Sequence, residues 1–160
     1  MIRNIWAVGR NYRDHAKELG NPVPKGEPLI FLKAGSCVVE SGQSLSLAPW
    51  AGTINYETEI ALQFGQDLAI SAVAVALDLT ARDLQNQLKE SKYPWTMAKS
   101  FRGSCPIGNL VKISAAWDLK NAEILLKVNG EIRQNQKQCG AEMVFSMDFL
   151  ADYIRKRLPV

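Results

Sequence analysis

A single histidine, His15, is all the imidazole this chain offers, and its three cysteines, Cys37, Cys105 and Cys139, form no Cys-x-x-Cys pair. That scarcity leaves no basis for a zinc centre of clustered His and Cys. An odd, scattered set of thiols reads as a reduced, cytoplasmic protein rather than a disulfide framework. No apolar run approaches the roughly 20 residues a membrane helix needs, and the N-terminus lacks the apolar core of a signal peptide. Charge of one sign forms no long block, and the short Arg155-Lys156-Arg157 cluster complements the dipole of the helix expected to end there. The 19 Lys and Arg are spread against 16 Asp and Glu for a net +3, which argues against nucleic acid as a partner. Internal repeats, low-complexity tracts and a dividing linker are also missing. What remains is 160 residues with 47% hydrophobic and 22% charged side chains, the make-up of one soluble domain able to bury a core.

The most informative stretch is Ile54 to Phe64. Read with the two-residue period of a strand, Asn55, Glu57, Glu59, Ala61 and Gln63 share a face. Glu57 and Glu59 then stand side by side, where like charges repel unless a cation lies between them. A hard divalent ion such as Mg²⁺ suits carboxylate oxygens. A solvated face of a half-buried strand is the plain alternative.

Other chemistry-bearing residues sit at element ends. His15 and Glu18 are three apart on a short helical stretch from Asp14 to Leu19, either a carboxylate-oriented general base or a surface ion pair. Ile70 to Leu77 is nearly continuous apolar sequence, expected as a strand buried on both faces, and it runs into Asp78. Thr80-Ala81-Arg82-Asp83 has the form of a capping box ahead of a helix to about Glu90. On that helix Leu84 and Leu88 should face inward, with Arg82 and Gln85 sharing another face. Lys99 lies among apolar neighbours and is either a positioned cation or a solvated one. Ile2 to Val8 and Leu29 to Lys33 read as strands, and Asn129-Gly130 closes a hairpin between Ile124–Val128 and Glu131–Gln134. From Phe145 to Leu158 an amphipathic helix is expected, with Phe149, Leu150, Tyr153 and Ile154 on one side.

Several of these segments together resemble the fumarylacetoacetate hydrolase family. They are Val8-Gly9-Arg10-Asn11-Tyr12 with His15-Ala16-Lys17-Glu18, Pro28 to Lys33, Tyr56-Glu57-Thr58-Glu59, Leu77 to Gln85, Pro94 to Phe101, Cys105-Pro106-Ile107-Gly108, Val128-Asn129-Gly130-Glu131 and Phe145-Ser146. The nearest type is the small single-domain acylpyruvase group acting on 2-oxo acids. The resemblance implies a mixed α+β fold, mainly β, in which a β-roll carries short peripheral helices, and a homodimer. By the same resemblance Glu57, Glu59 and Asp78 hold Mg²⁺ or Mn²⁺, and His15 and Glu18 activate water. Lys99 then stabilises developing negative charge, and Arg82 and Gln85 line the substrate pocket.

The activity so implied is metal-dependent hydrolysis of a carbon–carbon bond in an acylpyruvate-like 2-oxo acid. Isomerisation, decarboxylation of oxaloacetate, or a non-catalytic remnant that binds 2-oxo acids or a partner subunit are the alternatives. Two departures accompany the match. Glu59 and Asp78 are 78 − 59 = 19 positions apart, closer than the family's habit. The family also continues past Pro159-Val160 into strands that close the roll. We therefore expect residues 1–160 to form one catalytic domain lacking those strands, as part of a longer polypeptide in preference to a truncated homologue.

Overall fold

The structure, a computed structural model, describes residues 2–13, 24, 26–47, 49–114 and 118–160. It is mixed α+β and mostly strand. The strands are β1 (Asn4–Gly9), β2 (Leu29–Ala34), β3 (Val38–Glu40), β4 (Ile54–Asn55), β5 (Thr58–Phe64), β6 (Ile70–Leu77), β7 (Thr80–Ala81), β8 (Cys105–Ile107), β9 (Val111–Lys112), β10 (Ile124–Val128) and β11 (Glu131–Gln136). The helices used below are α1 (Arg82–Glu90), α2 (Thr96–Lys99) and α3 (Met147–Arg157). By their internal contacts the residues form two compact units. The first comprises Met1–Ala7, Phe31–Gln63 and Ala72–Lys112, and the second Val8–Ile30, Phe64–Ser71 and Ile113–Val160.

The first unit is organised by a sheet in the order β3-β8-β6-β5, with β9 also paired to β6. β3 and β8 run parallel, from Val38 opposite Cys105 to Glu40 opposite Ile107. β6 departs from the expected doubly buried strand. Ala72, Ala74 and Ala76 are buried, whereas Val75 is 52% exposed. Alternating small and branched residues give the strand one tightly covered face and one open one.

The stretch from Ile54 to Phe64 is two strands rather than one. Ile54 and Asn55 pair antiparallel with Ala81 and Thr80, while Thr58 to Phe64 joins the large sheet beside β6. Changing partner interrupts the ladder at Tyr56-Glu57. There the Asp78 N–H donates to the Glu57 carbonyl at 2.7 Å. That bond places two carboxylate-bearing residues next to each other.

The capping box does not form either. Thr80 is taken up in β7 and is fully buried, so its hydroxyl is not available to the helix. Asp83 instead accepts from the Thr53 N–H at 3.2 Å, and α1 starts from Ala81 without a side-chain cap. Leu84 and Leu88 do turn inward, packing on a core of Ala51, Leu79, Ala81, Ala98 and Phe101. Phe101 is the largest apolar group of that core; its burial is worth about 1.5–3 kcal/mol. β2 ends where Gly35 donates to the Arg3 carbonyl at 2.9 Å, and a Cβ on Gly35 would stand 1.9 Å from the Ile2 carbonyl oxygen. Only glycine permits so close an approach of two backbones.

In the second unit β10 and β11 form the expected hairpin, with Asn129 at φ 53° and Gly130 at φ 83°. Both angles are those of a type I′ turn. Ser146 caps α3 by accepting from the Phe149 N–H at 3.3 Å. The buried face of α3 is Leu150, Ala151 and Ile154. Phe149 is instead 45% exposed and stacks on Phe145 at 5.4 Å between ring centroids.

Candidate active site

All the site residues that the structure describes lie in the first unit, and three backbone features deliver them. The end of β6 brings Asp78 beside Glu57. The start of α1 supplies Arg82 and, one turn on, Gln85. The one-turn helix α2 ends at Lys99, whose N–H donates to the Trp95 carbonyl at 3.0 Å. A turn of helix was not expected there. It follows a Tyr-Pro-Trp stretch and aims the lysine inward, leaving it 4% exposed.

Lys99 is the hub. Its Nζ donates to Asp78 Oδ2 at 2.5 Å, to Thr80 Oγ1 at 2.7 Å and to Glu57 Oε2 at 3.0 Å. The ring of Phe31 lies under the ammonium at 4.9 Å, so one side of the charge faces an aromatic wall rather than water. Arg82 braces the other side of Glu57. Its Nη2 reaches Glu57 Oε1 at 2.5 Å and its Nη1 reaches Gln85 Oε1 at 2.6 Å. Gln85 is only 3% exposed, so it fixes the guanidinium plane. Arg82 Nε is buried and donates to nothing among the described residues.

Two of the three expected metal ligands therefore converge on one point, and a lysine ammonium stands there. The third, Glu59, is next to them electrostatically. Burial first, then the charges of Asp78 and Glu57, push its carboxyl up from 4.5 to about 8, with Lys99 pulling the other way. Glu57 moves oppositely: burial is its largest single influence and raises it, but Lys99 and Arg82 together outweigh that and hold it below its ordinary range.

Among the described residues no three His, Cys, Asp or Glu side chains are spaced as a ready-made metal cage. Lys99 between Glu57 and Asp78 accounts for that spacing. By donor chemistry the trio does fit a hard divalent ion. All donors are carboxylate oxygens, and a cation beside them would offset the burial and the neighbouring charges that raise the Glu59 carboxyl to about 8.

Asp78 Oδ1 accepts no hydrogen bond among the described residues, but it is ion-paired to a residue that the sequence pattern does not single out. Lys33 Nζ lies 2.8 Å from it. The ammonium's protons are directed at the carbonyls of Leu79 (3.2 Å), Ser104 (2.9 Å) and Lys99, which explains why Oδ1 receives charge but no hydrogen bond. Thr80 was also missed as a site residue. The available signal for Lys33 was a lysine closing an otherwise apolar strand, Leu29 to Lys33, in a position where a solvated residue would be expected. His15 and Glu18 lie outside the described residues.

The match of a protein-family model decides the affiliation: Fumarylacetoacetate (FAA) hydrolase C-terminal covers residues 4–160. The chain belongs to the fumarylacetoacetate hydrolase family. It is 42% identical over 160 residues to the mitochondrial oxaloacetate tautomerase FAHD1 of Arabidopsis thaliana, covering 94% of this chain and 70% of that one. To the protein of the same name in Bos taurus it is 34% identical over 164 residues, covering 96% and 73%. Among solved structures, a fumarylacetoacetate hydrolase family protein of Yersinia pestis CO92 superposes with a TM-score of 0.92 at 31% identity, covering 100% of this chain and 77% of that one. Fumarylpyruvate hydrolase of Pseudomonas aeruginosa, crystallised with Mn²⁺ and pyruvate, gives 0.84 at 32% identity, covering 96% and 71%. This family member is thus built as an enzyme of the hydrolase and isomerase type, with its carboxylate cluster in the fold those structures share.

Proposed function

We propose that this chain is a divalent-metal-dependent enzyme that binds a 2-oxo acid and stabilises its enolate. The observation that carries this is the convergence of Glu57 and Asp78 on one cation position, with Glu59 crowded beside them. These three residues would hold Mg²⁺ or Mn²⁺, and the ion would supply Lewis-acid charge to the substrate's oxygens.

The remaining residues act on the organic part. Arg82, locked by Gln85 and Glu57, presents a fixed guanidinium, which suits a substrate carboxylate. With the carboxylates holding an ion, the Lys99 ammonium would be released from Glu57 and Asp78, and would then serve the enolate oxygen and return a proton to it. Thr80 and Phe31 keep the ammonium away from bulk water, so its charge is worth more than it would be in solvent. With such a site, moving a proton between C3 and the 2-oxo oxygen interconverts keto and enol forms. Identity to proteins named oxaloacetate tautomerase supports that outcome first.

Hydrolysis of an acylpyruvate carbon–carbon bond is the second reading, supported by the likeness to a fumarylpyruvate hydrolase. It uses the same enolate as leaving group and needs in addition a base for water. His15, with Glu18, is the residue pair proposed for that step.

A substrate panel with Mg²⁺ or Mn²⁺ tests both. Enol absorbance of oxaloacetate reports tautomerisation, pyruvate formation from acylpyruvates reports hydrolysis, and CO₂ reports decarboxylation. Metal-dependent turnover that Lys99→Met abolishes is expected. If His15→Ala removes pyruvate release but spares the enol signal, the two activities separate as described. A chain that binds neither ion and turns over no member of the panel would be the non-catalytic alternative.

A further inference from the structure

Lys33 is the largest side chain among the described residues to be almost wholly buried, at 1% exposure. A lysine is hidden to this degree only when its charge is paired and its protons are bonded. Both conditions hold, and every partner belongs to the site. Its protons go to the carbonyls of Leu79, next to Asp78, and of Lys99 and Ser104, at the end of α2 and in the loop that follows. Its charge goes to Asp78 Oδ1.

We propose that Lys33 is a positioning residue: its ammonium neutralises and orients Asp78 from behind, so that Oδ2 faces the cation position while the backbone of Lys99 is held at the same point. Three features argue for this over a plain structural clip. A clip between carbonyls needs donors but no buried net charge, which an amide or hydroxyl could supply more cheaply. The two oxygens of Asp78 are divided between two lysines, Oδ1 to Lys33 and Oδ2 to Lys99, so the carboxylate cannot rotate without losing one of them. Lys33 also grips the Lys99 carbonyl, as does Ser104 Oγ at 3.0 Å, and this ties the donor and acceptor of the Lys99–Asp78 pair to one anchor.

The inference deepens the metal-dependent reading and rests on it. Its test therefore combines ion affinity with metal-free stability. Mn²⁺ affinity, read from the electron paramagnetic resonance of free Mn²⁺, is compared for wild type, Lys33→Met and Leu150→Ala, the last destabilised in the second unit. Lys33→Met is expected to weaken Mn²⁺ at least tenfold and Leu150→Ala less than twofold; equal losses, or none in Lys33→Met, overturn the proposal.

Thermal unfolding of the metal-free wild type, Lys33→Met, Asp78→Asn and the double variant supplies the second arm. If Lys33 serves the Asp78 charge, the double variant loses clearly less melting temperature than the two singles together. It should also fold even where Lys33→Met alone does not. Additive losses, or a double variant no better folded, count against it. A wild type that binds no Mn²⁺ removes the metal reading instead, and the unfolding cycle still decides whether Lys33 and Asp78 act as a pair.

Discussion

The two units bury polar groups in different ways. In the second, Asn11 is 6% exposed and neutral. Its Nδ2 donates to the Phe145 carbonyl at 3.0 Å and its Oδ1 accepts from the Phe145 N–H at 2.9 Å, as a strand neighbour would. Among the described residues of that unit no charged side chain is buried, and pairs such as Lys156–Asp152, 66% and 53% exposed, face water. In the first unit Lys33, Asp78 and Lys99 are all buried. A neutral amide can satisfy a backbone segment completely and leave no field behind it. Buried ions cannot, and they are retained where a field is wanted.

Removing Asp78 should break this contrast most severely. Asp78→Ala leaves the ammonium groups of Lys33 and Lys99 short of a carboxylate, and urea unfolding should show a loss of about 3–5 kcal/mol. Next comes pH, which acts on the first unit through Glu59. Its folded pKa lies above the unfolded one, so the folded chain holds an extra proton between 4.5 and about 8. The stability from that proton is complete below 4.5 and is lost as pH rises through about 8. Metal-free unfolding followed across that window should show the decline, and Glu59→Gln should flatten it.

Asn11→Ala should cost about 1–3 kcal/mol by the same unfolding assay, since the Phe145 N–H and carbonyl lose a buried partner. The smallest effect belongs to the exposed pair. Asp152→Ala should change stability by about 0.3–0.5 kcal/mol, and added salt should erase it. An Asp152→Ala loss comparable with that of Asp78→Ala would undo the distinction between buried and exposed ions.

Much of the site was legible in the chain because local spacing carried it. Arg82 and Gln85 share a face through helical geometry alone, and Asn129-Gly130 dictates its own turn. Glu57 and Glu59 were identified through a continuous strand that does not exist. Glu57 nonetheless stands beside Asp78, because it is held by the backbone of Asp78 and not by the ladder. Thr80 was misread as a cap because its pairing with Asn55 joins residues far apart in sequence. Periodicity puts Phe149 on the same side as Leu150 and Ile154, yet Phe145 and Tyr153 offer it an aromatic stack outside.

Residue order alone determined which side chains could serve as hard oxygen donors, where the hairpin turns, and the affiliation of the chain, since these depend on neighbours within a few positions or on motifs read directly. Only the tertiary structure decided that Lys99 stands between Glu57 and Asp78, that burial and neighbouring carboxylates raise the Glu59 carboxyl, and that Lys33 lies behind the cluster. Each of those depends on burial and on distances between segments about 20 to 70 positions apart, and electrostatic energy inside a protein is set by such distances and by the exclusion of water.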